Sequence, residues 1–506
     1  MPGEGARAKE RGLRMNEQGK FSRLLKNKIS LTGLFLGACA LASGTLLMII
    51  DASSENLSPY FGLLIYLLVP AFLTGSAFLV VVGMFWTWRR TRQHGYIPRL
   101  PVIDLGDRRT LSRLAAFGVA GVVFVVISAV ATYRTYHFTE SVQFCGMVCH
   151  QVMKPEYTAF HLSPHANTSC VECHIGAGAK WFVKAKISGL YQVYSVLFNK
   201  YHLPIETPVE NLRPAKETCL ACHWPAKFFG AVLRTWTYYG NDAKNSPWTI
   251  KMLLNIGGGD PAHGPIKGIH WHMEGVNTVE YIATDRKRLV IPWVRVTDQS
   301  GNVTVYRTQD EKTKVSDAQA ALLPVRRMDC IDCHNRPTHR YRAPNEMLDI
   351  AMSEGRIDSA LPSIKATGAK LLSAVYSTES EAVAAIDREL RAKYPGDARI
   401  EAAIREIQSI YRGNFFPEMK VRWTAYPNHV GHKITPGCFR CHDDQHISDS
   451  GKLISKDCKT CHTILAQGPG KDLPDVTSSG LEFKHPEDIG DEWKTERCDT
   501  CHTGSP

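Results

Sequence analysis

One five-residue pattern recurs along this chain: two cysteines two residues apart, with histidine directly after the second. It appears as SCVECH (Cys170, Cys173, His174), TCLACH (Cys219, Cys222, His223), DCIDCH (Cys330, Cys333, His334), GCFRCH (Cys438, Cys441, His442), DCKTCH (Cys458, Cys461, His462) and RCDTCH (Cys498, Cys501, His502). A seventh, FCGMVCH, carries one extra residue between Cys145 and Cys149 before His150. Together they consume every one of the 15 cysteines except Cys39.

C-x-x-C-H is the attachment pattern of c-type haem: the thiols form thioethers with the porphyrin vinyl groups, and the adjacent His reaches the iron. Zinc ribbons also pair cysteines but place no demand for His on the next position. A thioredoxin-like redox motif needs neither the His nor seven copies. Seven covalently bound haem c groups are therefore expected. Haem also alters the charge balance. The formal +11 arises mostly in residues 1–113, with fifteen Lys/Arg against seven Asp/Glu. Two propionates per haem make the remainder acidic, so the basic balance is no sign of a nucleic-acid partner.

Three apolar runs precede the motifs, at 31–50, 60–88 and 114–133, each long enough to cross a bilayer as a helix. Lys and Arg crowd before the first run and between the second and third, whereas the 51–59 loop has none. The positive-inside rule then places the amino terminus and His94 in the cytoplasm and everything after Tyr133 outside. In a bacterium this means an inner-membrane protein with a periplasmic haem region. LGAC at 36–39 and ALA at 40–42 resemble processing sites, but the apolar run continues to Ile50, longer than a usual signal-peptide core.

The expected fold is thus a membrane-anchored multihaem cytochrome c. It has three transmembrane α-helices and a mostly α or irregular, haem-packed periplasmic region with a small β-hairpin. The divisions expected are a basic tail (1–30), the anchor (31–133), a region with motifs one to three (134–230), an insert with the fourth (231–343), a helical hairpin (344–420) and the last three motifs (421–506). The hairpin is read in 288–308, rich in Val and Ile about a Ser-Gly-Asn turn. The helices are read from Thr378 and Glu381, a capping box before AVAAIDRELRAKY, and from the periodic run ARIEAAIREIQSIYRG.

A second axial ligand makes a haem an electron carrier, while an open position admits substrate. Histidines outside the motifs outnumber the irons, which favours carriers. Their contexts single out His165, His202, His270, His272, His339, His432, His446 and His485.

The stretches FCGMVCHQVMKPEY, SPHANTSCVECHIGAGAKWFVKAKISG, LRPAKETCLACHWP, GIHWHM and HKITPGCFRCHDDQH resemble the NapC/NirT family of membrane-anchored multihaem quinol dehydrogenases, in particular its seven-haem inner-membrane type. The resemblance implies electron transfer from the quinol pool. It also implies that Met153 is a ligand at the first haem, although the smaller members space it His-x-Met and this chain has His-x-x-Met. In those members a Lys and an acid line the quinol pocket. Lys184 and Lys186 match the basic position, the acid position falls on Ser188, and Glu156 is the substitute.

Cys145 lies twelve residues past the third run, so the first haem stays near the bilayer, where quinol is reached. Residues 179–198 mix Trp181, Phe182 and aliphatics with lysines, the composition of an interfacial helix. The function expected is oxidation of menaquinol or ubiquinol, with electrons passing through seven haems to periplasmic c-type cytochromes or a terminal reductase in anaerobic or extracellular respiration. The alternatives are a terminal reductase of a small nitrogen or sulfur oxyanion and a haem relay subunit of a larger membrane complex.

Overall fold

The computed structural model describes residues 24–53, 60–94, 106–148, 150–175, 179–209, 215–224, 230–257, 268–273, 277–473 and 476–505. Cys149 falls outside these, as do the side chains of His150 and Lys186.

Two compact units emerge. The first comprises Met1–Cys145 with Ile175–Leu190, and the second Gly146–His174 with Tyr191–Pro506. The first is built on α1 (Lys28–Ser53), α2 (Tyr60–His94) and α3 (Arg108–Thr139). Each contains a stretch long and apolar enough to cross a membrane: Lys28–Ile49, Val69–Gln93 and Gly118–Thr139. α1 and α2 pack closely because glycine opens the seam. A Cβ on Gly33 would lie 2.8 Å from the Ser76 carbonyl, and one on Gly83 would collide with Ser30 Oγ. At one end Asn27 Nδ2 donates to the Gly83 carbonyl (3.1 Å) and Ser30 Oγ to the Val80 carbonyl (3.1 Å). With backbone groups already satisfied within each helix, such side-chain bonds join spans without exposing polarity to lipid. Asp107 caps α3, accepting from the backbone N–H of Arg109 and Thr110.

The second unit has more regular structure than composition indicates. A three-stranded antiparallel sheet runs β1-β2-β8, from β1 (Val232–Tyr239), β2 (Pro247–Leu254) and β8 (His462–Pro469). A five-stranded antiparallel sheet runs β6-β3-β4-β5-β7, from β3 (Thr278–Ile282), β4 (Trp293–Thr297), β5 (Val303–Thr308), β6 (Arg326–Arg327) and β7 (His446–Ser448). The hairpin read in the sequence is β4–β5, closed at Asp298, whose carboxylate accepts from the N–H of Ser300 and Asn302. It is the centre of a sheet rather than a lone ribbon. β1 and β2 escape the sequence reading because their burial does not alternate cleanly between faces.

The expected helical hairpin also grows. Four helices lie here: Pro344–Ser353, Ile364–Ser373, Glu379–Lys393 and Ile400–Asn414. Leu348, Met352, Ile357, Leu361, Ile364, Leu372, Ile386, Leu390 and Ile407 form their buried core. Thr378 Oγ1 accepts from Glu381 N (3.1 Å), while the Glu381 carboxylate accepts from Ser377 N rather than from Thr378.

One buried carboxylate fastens the fourth motif to the larger sheet. Asp332 accepts from Tyr281 Oη (2.7 Å), Arg288 (2.8 Å), Arg326 Nε (2.7 Å) and the N–H of Asp329 (2.7 Å).

Candidate metal centres

A helical turn brings residues i and i+3 onto one face, and the described motifs use this to align their thiols. Cys170–His174, Cys330–Cys333 and Cys498–Cys501 are one-turn α-helices, and Cys458–Thr460 is a 3₁₀ turn. The His backbone N–H closes the turn onto the first cysteine's carbonyl at 2.8–3.0 Å for His223, His334, His442 and His502. The first motif differs. Phe144–Val148 is a π-helical turn, the form that accommodates one additional residue. Its Gly146 is required there, because a Cβ would overlap the ring of Tyr157.

Every motif His after the first faces a second His. Ring centroids lie 6.1 Å apart for His165–His223, 6.2 Å for His174–His339, 6.3 Å for His270–His334, 5.9 Å for His272–His442, 6.3 Å for His432–His462 and 6.1 Å for His485–His502. Two imidazoles on opposite faces of one iron, each with a metal–nitrogen bond of about 2 Å, have ring centres about 6 Å apart. The six pairs fit haem iron at that spacing. Among the described residues no group of three or more His, Cys, Asp or Glu converges into a cage for a bare metal ion. Pairs suit a porphyrin, which brings its own four nitrogens.

The rings are also held for ligation. A metal-binding His commonly donates its other N–H to a carbonyl, which fixes the ring. Nδ1 of His270 donates to the Ile256 carbonyl (2.9 Å), His272 to Ile269 (2.8 Å), His339 to Glu156 (3.1 Å) and His442 to Ser455 (2.9 Å), while Nδ1 of His485 is held by the main chain of Glu487. An imidazole that donates from Nδ1 carries its lone pair on Nε2, the nitrogen that can bind iron. Burial lowers the pKa of His174, His272, His334, His432, His462 and His502, and takes His339 down to about 4. Ligation needs the neutral imidazole, and burial favours it.

Two sequence candidates fall outside the pairs. His446 is buried with both nitrogens engaged, Nδ1 with Asp443 Oδ1 (2.8 Å) and Nε2 with the Ile291 carbonyl (2.7 Å). No nitrogen is left for iron, so its role as placed is to tie β7 to the segment before β4. His202 is exposed and belongs to none of the six pairs. Met153 is half-buried on the helix His150–His161.

The residues expected near quinol divide between the units. Lys184 is exposed on the helix Ala179–Leu197, its ammonium 5.2 Å from the Trp181 ring centre. The same helix exposes Ile187, Leu190, Tyr191, Val193, Tyr194 and Leu197. Glu156 lies on His150–His161, and burial raises its pKa, opposed by Arg336 and Tyr341. The main-chain carbonyls that hold the His rings carry no sequence signal.

The N-terminal region of the NapC/NirT cytochrome c family matches residues 108–208. The cytochrome c-type protein ImcH of Geobacter sulfurreducens is 44% identical over 498 residues, covering 96% of each chain. The cytochrome c-type protein NrfH of Wolinella succinogenes is 30% identical over 116 residues, 22% of this chain and 63% of that protein. No solved structure matches. With C-x-x-C-H turns, apolar anchoring helices and a relative similar along nearly its whole length, this chain belongs to the NapC/NirT cytochrome c family, as a membrane-anchored electron-transfer protein with covalently bound haem c.

Proposed function

We propose that the protein is an inner-membrane quinol dehydrogenase, taking electrons from menaquinol or ubiquinol and passing them through seven c-type haems to soluble periplasmic acceptors. The observation that carries this reading is the set of six His pairs at 5.9–6.3 Å. When bound, haem supplies a one-electron Fe(III)/Fe(II) couple. The motif cysteines would tether it, and the paired histidines would each supply a nitrogen to its iron. Two protein ligands to each paired iron would favour a carrier over a reductase that binds a small oxyanion there.

Quinol oxidation releases two electrons and two protons, so a proton acceptor is needed. Lys184 and Lys186 are assigned to quinol binding and Glu156 to accepting a proton, with Met153 as a ligand of the first iron. The exposed apolar face of Ala179–Leu197 supports an interfacial position for that helix. The orientation follows from the basic residues flanking the spans: amino terminus in the cytoplasm, motifs in the periplasm.

The test is stopped-flow mixing of the purified protein with a menaquinol analogue, following the haem bands. Rapid reduction is expected, with a large loss of rate when Lys184 and Lys186 are both replaced by Ala. Intact-mass measurement should give seven haem additions. Unchanged reduction in the double variant overturns the quinol assignment, and fewer than seven additions overturns the haem count.

A further inference from the structure

The six His pairs differ in one respect that bears on redox behaviour. At His272–His442 both rings are pinned, Nδ1 of His272 donating to the Ile269 carbonyl (2.8 Å) and Nδ1 of His442 to the Ser455 carbonyl (2.9 Å). At His432–His462 neither ring is: both Nδ1 atoms are buried, and neither reaches an acceptor beyond its own main chain. Nδ1 of His165 is likewise buried without a partner, but the His223 it faces is exposed to solvent, which stabilises the ferric charge. His432 is instead stacked flat on Phe439, centroids 4.2 Å apart and planes 23° apart, so one face of its ring is apolar.

An imidazole that donates Nδ1–H to a carbonyl is more basic at Nε2 and gives more electron density to iron. The ferric state carries the higher charge and gains most from that donation, so pinning lowers the reduction potential. An unpinned pair beside an aromatic ring lacks that contribution, and the apolar surroundings further disfavour the more highly charged ferric form.

Resting on the reading of the pairs as axial ligands, we propose that the haem held by Cys438, Cys441, His442 and His272 has the lowest potential of the six paired haems, and that the haem held by Cys458, Cys461, His462 and His432 has the highest. The carbonyls of Ile269 and Ser455 are then tuning groups, and sequence neighbours along the chain are set furthest apart in potential.

The test is a spectroelectrochemical titration of the full-length protein in detergent, resolved into single-haem components. His432→Met and His272→Met each leave the thioethers intact and exchange one imidazole for a thioether sulfur, which moves that haem's component upward. His432→Met should displace the component that is already highest in the wild type, and His272→Met should remove the lowest. If the displaced components occur in any other order, the assignment is overturned. Should either Met variant fail to accumulate, the paired cysteine variants Cys458→Ser/Cys461→Ser and Cys438→Ser/Cys441→Ser give the same discrimination, by loss of the highest and lowest component respectively. Haem mass and electron paramagnetic resonance of the wild type check the underlying reading separately. Seven haems with six low-spin bis-His signals and the wrong order refute the tuning alone, whereas missing low-spin signals refute the ligation itself.

Discussion

His270 and His272 are separated only by Trp271 on one 3₁₀ turn, yet they turn to different motif histidines. His270 lies nearly parallel to His334, with planes 9° apart, and His272 is close to perpendicular to His442, at 82°. A single turn therefore serves two motifs more than a hundred residues apart in the chain.

Replacing either histidine should consequently disturb one centre and spare the other. His270→Ala and His272→Ala are each expected to convert one low-spin haem to high-spin, and the double variant two, with thioether attachment unchanged. Electron paramagnetic resonance counts the spin states and intact mass counts the haems. A single substitution that changes two centres would show that the turn acts as one unit.

His446 provides the contrast. Its two ring nitrogens are committed to Asp443 and to the Ile291 carbonyl. His446→Ala should create no high-spin haem but leave a buried carbonyl and carboxylate short of partners, at a cost of about 1–3 kcal/mol. Thermal denaturation measures the cost, and the haem spectrum of the folded variant shows whether any ligation was lost.

Asp332 gathers Tyr281, Arg288, Arg326 and the Asp329 N–H around one carboxylate with a side chain 2% exposed. Asp332→Ala strands two guanidinium groups and is expected to destabilise the second unit by about 3 kcal/mol. Asp332→Asn, which keeps the shape and part of the bonding, should cost less. Denaturant titration that ranks the two in the opposite order would contradict this account.

His429 gives a pH dependence with a defined sign. Burial, then Arg440, pushes its pKa from 6.5 down to about 4, opposed by its contact with the Asp332 carbonyl. The folded state holds this ring neutral while the unfolded chain binds a proton below about 6.5. Stability from this site is therefore complete above pH 6.5 and falls as pH drops toward 4, by up to roughly 3 kcal/mol. His429→Gln should flatten that slope between pH 6.5 and 4 in thermal denaturation, while leaving the haem spectrum unchanged.

What the sequence could disclose was whatever is local in the chain. Thioether attachment and the proximal His need neighbouring residues only, so all seven motifs are legible by eye, and a membrane span needs only an unbroken apolar run. The β4–β5 hairpin and the Thr378 cap are likewise decided within a few residues. Tertiary structure decided what depends on distant partners. It set His339 across from His174 and His165 across from His223, and it enclosed His446, whose sequence context beside a motif looked as suitable for iron as that of His432. It also paired β2 with β8, from Leu254 to His462, and drew four helices onto one core where periodicity had marked two. The physical reason is that a histidine can give a ring lone pair to iron or a ring N–H to a carbonyl or carboxylate. Only the folded chain determines which of them lies within reach.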